Sequence, residues 1–229
     1  SQNFLLSGRV NDNSEVIYHR DPKERVQKVA PWLTIDDDIY PAIVPGEGDE
    51  EGRIVWVLDG YAATDRFPGS ERESFATMTD DAFQDDTGLR TLPTDEINYI
   101  RNSVKATVDA YTGQVTLYAW DEQDPVLKTW MKAFPGTVQP RTAMPDELLA
   151  HVRYPEDIFK VQREVFASYH VTDADDFYQA NDKWEMPKDP NAATEQQPPY
   201  RLSVATPSGG EEPIFSLTSV YTPVNRENL

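Results

Sequence analysis

At 229 residues, with 38% hydrophobic and 11% aromatic side chains, the chain holds enough apolar material to bury a core in one large domain or two small ones. Its 21 basic against 40 acidic residues leave a net charge of −19, which repels phosphate backbones and anionic lipid headgroups and argues against nucleic-acid binding and electrostatic membrane docking. The absence of cysteine excludes a disulfide framework, a thiolate-bound zinc or iron–sulfur site and a thiol nucleophile.

The first helix signal is Asp21-Pro22-Lys23-Glu24: an N-cap, a proline at the first helical position and an acid in the first turn. Val26, Val29, Ala30 and Leu33 follow at helical spacing, and Pro31 predicts an end or kink near Val29. Tyr40 to Val44 and residues 53–59 read as strands joined by an acidic loop over 45–52. Ile54 to Leu58 is apolar on both faces, as in a strand covered on both sides, and far short of the roughly 20 residues of a spanning helix. Residues 69–96 are acidic and without periodicity, and read as a long loop or insertion. From Ile97 the pattern alternates again through Val104, Ala106 and Val108, turns at Thr112-Gly113 and returns through Val115, Leu117 and Ala119. A two-residue turn would pair Val108 with Leu117; a longer, glycine-containing loop would shift that register.

Helix starts then dominate. Asp124-Pro125 opens a helix carrying Val126, Leu127, Trp130 and Met131, and Pro145-Asp146 a second through Leu148 and Leu149. Pro155-Glu156-Asp157 opens the longest, with Ile158, Val161, Val165 and Tyr169 on one stripe; Thr172 to Asp175 caps a last one. Residues 183–199, polar and proline-rich, read as a tether, and two final strands are expected around Ser208-Gly209-Gly210. Strands, then short helices, then strands make an α+β domain: a mainly antiparallel sheet with a cluster of short helices packed on it. Ser1 at the start, and an apolar segment close to Leu229, point to a piece of a longer chain.

Three acidic clusters carry the first chemical expectation: Asp36, Asp37 and Asp38; Glu47 with Asp49, Glu50 and Glu51; and Asp80-Asp81 with Asp85-Asp86. Calcium takes about six to eight oxygens from a loop that can wrap it, and Asp36 to Asp38 beside Tyr40 is the first choice if an ion binds; the plainer reading is solvated loop charge. His19, His151 and His170 show no zinc-type spacing, and no nucleophile elbow is present. Glu156, Asp157 and Glu164 share one predicted helix, whereas glycoside hydrolysis needs two carboxylates about 5 to 10 Å apart across a cleft, and acids in a first helical turn are explained by the helix dipole alone. A polar patch is the more specific expectation. Tyr99, Arg101, Asn102, Ser103 and Lys105 lead into one strand while Asp59, Tyr61 and Asp65 end another. Adjacent strands would join them, with Arg101 facing Asp59 or Asp65, as a binding site or, more plainly, as a structural ion-pair network.

Four runs, RDPKERVQKVAPWLTIDDDIYPAIV, GRIVWVLDGYAATDRFP, INYIRNSVKATVDAYTGQVTLYAWDEQDPVLKTWMKAFPG and MPDELLAHVRYPEDIFKVQREVFASYHVTDADDFY, together resemble one functionally uncharacterised bacterial family of actinobacteria and cyanobacteria. Its members carry several N-terminal transmembrane helices followed by a large extracytoplasmic region. The resemblance spans roughly residues 20–185, continues in PIFSLTSVYTPVNRENL, and departs from the family in the acidic insertions at 45–52 and around 69–96. It implies a place outside the cytoplasmic membrane, tethered through spans absent here, with an unidentified envelope or membrane protein as partner, and it transfers no catalytic residue. The expected function is a non-enzymatic binding or assembly module of the cell envelope; the rivals are an envelope-polysaccharide hydrolase and a calcium-stabilised structural domain.

Overall fold

The structure, a computed structural model, describes residues 18–45, 52–81, 94–205 and 213–224. Glu47, Asp49 to Glu51, Asp85-Asp86 and the turn at Ser208 to Gly210 lie outside the described residues. Helix α1 (Pro22–Val29) starts where Asp21 accepts from the amides of Lys23 at 2.8 Å and Glu24 at 3.4 Å, and stops ahead of Pro31. It buries Val26, with Ala30 and Leu33 following on the same side, while Val29 stays exposed.

Strands β1 (Leu33–Ile35) and β2 (Tyr40–Val44) lie end to end along one edge of the long β3 (Arg53–Thr64), both antiparallel to it. After a two-residue strand β4 (Glu73–Ser74), a single-turn helix α2 (Phe75–Thr79) and a short β5 (Glu96–Ile97), the other edge of β3 pairs with β6 (Tyr99–Asp109). The expected acidic loop over 69–96 thus carries a helical turn and a β4–β5 ladder in its described parts. Strand β7 (Val115–Ala119) completes the hairpin through the five residues 110–114, where the Asp109 carboxylate accepts from the Tyr111 and Thr112 amides at 2.9 and 2.8 Å. Gly113 sits at φ 69°, and the guanidinium of Arg25 lies against it. The pairing is therefore Val108 with Val115 and Ala106 with Leu117, two residues from the two-residue-turn register. A slip of two keeps every side chain on its expected face.

Helix α3 (Pro125–Ala133) crosses over to β8 (Val138–Gln139), which joins β7 in the sheet's one parallel ladder among the described residues, a strand the helix-dominated sequence reading lacks. A 3-10 turn (Arg141–Ala143), α4 (Asp146–Leu149), α5 (Glu156–Tyr169) and α6 (Ala174–Tyr178) follow. The expected tether at 183–199 instead holds β9 (Trp184–Glu185), β10 (Lys188–Asp189) and β11 (Ala192–Gln196). Strands β12 (Tyr200–Val204) and β13 (Ile214–Thr218) pair as a separate antiparallel ladder, and β14 (Thr222–Pro223) returns to β9.

The central sheet is apolar on both faces. One face packs Leu58, Val104, Ala106 and Leu117 against Val26 of α1 and Leu127 of α3. The other packs Val55, Val57, Tyr40 and Tyr118 against Met144 and Leu148. Helix α5 departs from its expected stripe. Ile158 and Val161 are buried, but Val165 and Tyr169 are 47% and 55% exposed, and the inward side instead carries Asp157, Lys160, Arg163 and Ala167. No helix among the described residues is long and apolar enough to cross a membrane.

Candidate functional site

Strands β3 and β6 pair so that Asp59 stands opposite Lys105. Regular alternation would send Asn102, three positions away, to the other face. The ladder slips between Gly60 and Tyr61: Gly60 pairs with Val104 and Tyr61 with Asn102, leaving Ser103 as an extra residue on β6. This bulge resets the alternation, so Asn102 and Lys105 both reach Oδ1 of Asp59, Asn102 Nδ2 at 3.0 Å and Lys105 Nζ in an ion pair. Ser103 turns to the opposite face, where its hydroxyl donates to Asp124 at 2.5 Å beside that of Tyr99 at 2.7 Å. Asp124 also caps α3 through the Val126 and Leu127 amides, and burial with this hydrogen bond pushes Tyr99 up to about 12.

The Asp59–Lys105 pair is almost dry, at 2% and 1% side-chain exposure. Lys105 Nζ also donates to the Arg153 carbonyl at 3.0 Å and lies 5.2 Å above the Trp120 ring. Burial pushes Asp59 up to about 6, with neighbouring Asp36 adding to the rise and Lys105 and Asn102 opposing it. Burial also pushes the Lys105 ammonium down, against the pull of Asp59.

Next to this pair lies the start of α5. Its N-cap position is Pro155, which has no side-chain acceptor, so the first amides must find oxygens elsewhere. Asp36 supplies them. Its Oδ2 accepts from the Asp157 amide at 2.9 Å and from the Tyr61 hydroxyl, whose oxygen in turn accepts from the Ile158 amide at 3.2 Å. Asp157 answers by accepting from the Asp37 amide at 2.9 Å. Burial pushes Asp157 up to about 7, with Asp36 adding to it, and burial with the Asp36 charge raises Tyr61 far above its ordinary range. One turn on, Lys160 and Arg163 pair with Asp81 at 2.6 and 3.0 Å, and Lys160 also reaches Glu156 at 3.4 Å.

Among the candidate binding residues, the structure thus gathers Asp59, Tyr61, Asn102 and Lys105 midway along the β3–β6 ladder. Arg101 is a correction: it faces neither Asp59 nor Asp65 but pairs with Asp121 at 3.0 Å, because it stands on the far side of the bulge, opposite Ala62. Asp65 lies outside the cluster, exposed and 3.6 Å from Arg66. The candidate ion ligands diverge. Asp36 faces α5, Asp37 pairs with Lys23 and Asp38 with Arg201, and no three acidic or histidine side chains among the described residues converge as a metal would require. Asp157 was not singled out by sequence for this site; the signal was a proline at an N-cap position ahead of a helix that had to be buried.

Two grooves flank these clusters. One of about 540 Å³ runs past Asn102, Lys105, Trp120 and Arg153, where the side-chain Oδ1 of Asn102 is buried without a hydrogen-bond partner. A wider one of about 1010 Å³ lies beside α5, with Glu71, Glu73, Asp80 and Glu164 among Phe67, Tyr169 and Phe177. Burial raises Glu164.

The chain is similar to proteins of several actinobacteria. It is 62% identical over 227 residues to a UPF0182 protein of Nocardioides sp. (strain ATCC BAA-499 / JS614), and 51% identical over 230 residues to one of Thermobifida fusca (strain YX). Another, of Clavibacter michiganensis subsp. michiganensis (strain NCPPB 382), is 50% identical over 229 residues. These matches cover 99%, 99% and 97% of the chain but 22% of each relative, so the chain spans about a fifth of their length. No solved structure matches. The family model of the uncharacterised protein family UPF0182 matches residues 1–229, and the chain belongs to that family.

Proposed function

We propose that this chain is a non-enzymatic assembly module of a longer, membrane-tethered protein, held on the extracytoplasmic side of the bacterial envelope. The observation that carries this reading is the fate of the ionisable groups in the middle of the β3–β6 ladder. Asp59, Lys105, Asp36, Tyr61 and Asp157 are turned onto one another and onto backbone groups; Lys105 borders the groove of about 540 Å³, but its ammonium is held by Asp59 and the Arg153 carbonyl. Groups spent on each other brace a frame; a reaction centre keeps at least one aimed at a substrate. The chain's share of its relatives' length supports a role as one part of a larger body. Location is tested by cysteine labelling, which the cysteine-free sequence makes clean within this region. A single cysteine in place of exposed Tyr111, in the full-length protein of intact cells, should react with a membrane-impermeant maleimide. Labelling only after lysis would overturn the placement.

A second reading, hydrolysis of envelope polysaccharide, has one observation behind it: the wide groove lined by four carboxylates, one of them the raised Glu164. It requires reducing-end release from purified cell-wall polysaccharide by the chain, lost in Glu164→Gln. No release from the parent chain would set it aside.

A further inference from the structure

Helix α5 divides its apolar residues between both sides. Its inward side carries Asp157, Lys160 and Arg163, each bonded to a named partner, beside Ile158, Val161 and Ala167, whereas Val165, Phe166 and Tyr169 are 47%, 53% and 55% exposed. A surface helix ordinarily turns its apolar stripe inward and its charges outward. Here the charges are held inside by Asp81, the Gln197 carbonyl and the Asp37 amide, so rotating the helix to hide its aromatics would break all three sets of bonds. The aromatic side continues into neighbouring elements: Phe166 touches Trp184 and Tyr221, and Tyr169 touches Phe177. An apolar groove of about 570 Å³ runs along one flank of this ridge, between Ile100, Phe159 and Phe166, and the wide groove runs along the other. Contiguous exposed aromatics of this kind mark an interaction surface.

We infer that the outer face of α5 docks another segment of the same longer polypeptide, one that is apolar and carries lysine or arginine at its flanks. The reading rests on the assembly role proposed above and names its surface. Length supplies the occupant, since the relatives extend over more than four times the span matched here. Charge specifies it. The wide groove presents Glu71, Glu73, Asp80 and Glu164 against Lys183 alone among its described lining residues, which favours a basic rim on the segment that fills it. The same charge disfavours two alternatives: a second copy would bring a further −19, and an anionic bilayer would be repelled.

The test uses the full-length protein in its native membranes. A photoactivatable benzophenone amino acid replaces Phe166, or Val165 in a second variant, and exposed Tyr111 in a control. The inference expects cross-links from 165 and 166 at unchanged protomer mass, mapping to peptides outside residues 1–229 that contain lysine or arginine beside an apolar run, and none of these from position 111. Products at twice the protomer mass, adducts to lipid or to another protein, links confined to residues 1–229, or no product at all would overturn it. In parallel, Val165→Ser with Phe166→Ser should leave the melting temperature of the isolated chain within about 2 °C of the parent, yet make the full-length protein more protease-sensitive; equal sensitivity would also count against docking. Failure of these links with successful labelling at Tyr111 would refute the surface while leaving the envelope module standing.

Discussion

Asp59 and Lys105 stand opposite each other on neighbouring antiparallel strands, and the bulge at Ser103 brings Asn102 to the same carboxylate oxygen. A pair this dry is held by geometry rather than by charge alone: Lys105 also bonds the Arg153 carbonyl, tying the sheet to the segment ahead of α5. Removing one partner leaves the other charged and unmatched, which costs more than the pair itself contributes. Lys105→Met should therefore destabilise the chain by about 3–5 kcal/mol, and adding Asp59→Asn should restore a good part of that loss. Urea unfolding of the four proteins in a double-mutant cycle measures it. Additive losses would mean that the pair is not coupled.

The pH dependence is led by two carboxyls, Asp59 and Asp157, with Glu164 raised in the same direction. Asp59 and Asp157 hold their protons to about 6 and about 7 in the folded chain, against 3.8 when unfolded. Between those limits the folded state binds more protons, so stability is greatest at the acid end of the window and falls as pH rises from about 4 to 7. Each such carboxyl contributes a slope of up to about 1.4 kcal/mol per pH unit. The depressed Lys105 acts only at higher pH, toward 10.5, where stability gains as pH rises. The melting temperature should be higher at pH 5.5 than at pH 7.5, and Asp157→Asn should flatten the profile. An unchanged slope in that variant would remove Asp157 from the explanation.

Asp36 acts as a cap supplied from a distant loop. Asp36→Ala removes an acceptor from the Asp157 amide and strands the Tyr61 hydroxyl, for an expected loss of about 3 kcal/mol. Tyr61→Phe keeps the carboxylate but loses both the acceptor for Ile158 and the hydroxyl donor to Asp36, about 1–2 kcal/mol. Hydrogen exchange separates them: the first variant should expose the amides of both Asp157 and Ile158, the second only that of Ile158.

Arg101 is the contrasting case. Its pair with Asp121 is 43% and 27% exposed, so Arg101→Ala should shift stability by less than about 1 kcal/mol, well below Lys105→Met. A loss as large as that of Lys105 would mean that the cluster around Asp59 extends to Arg101.

Gly113→Ala tests the hairpin. The residue sits at φ 69°, and a Cβ there would lie 2.4 Å from Cζ of Arg25. Arg25 is long enough to move aside, so the loss should be near the left-handed cost of about 1–2 kcal/mol, with the hydrogen bond from Arg25 to the Gly113 carbonyl broken. Equilibrium unfolding that shows no loss would contradict this loop geometry.

Local chemistry made much of the fold legible. Asp21-Pro22 and Asp124-Pro125 start helices where their side chains predict, and the alternation through Val104, Ala106 and Val108 gives a strand with the right inward face. What stayed hidden depends on pairing between distant segments. No local signal marks Ser103 as the bulged residue, and without the bulge Asn102 and Arg101 exchange faces, so the sequence alone does not separate Arg101 from the carboxylates of β3. The divided packing of α5 was hidden for a similar reason. Ile158 and Val161 of its stripe are buried as the pattern predicts, but Val165 and Tyr169 are not, because Asp81 and Gln197 draw Lys160 and Arg163 inward from other parts of the chain. Likewise the run Asp36-Asp37-Asp38 looks like an ion loop until its three carboxylates are seen to serve three partners.

The assembly role is tested most directly by association. The chain and the remainder of a full-length relative, produced as separate polypeptides and the latter kept in detergent micelles, would be mixed and followed by sedimentation velocity. A one-to-one complex at micromolar concentration is the expected result, weakened by Phe166→Ser. Two species that sediment independently at every concentration would contradict an assembly module and return the search to the carboxylate-lined groove.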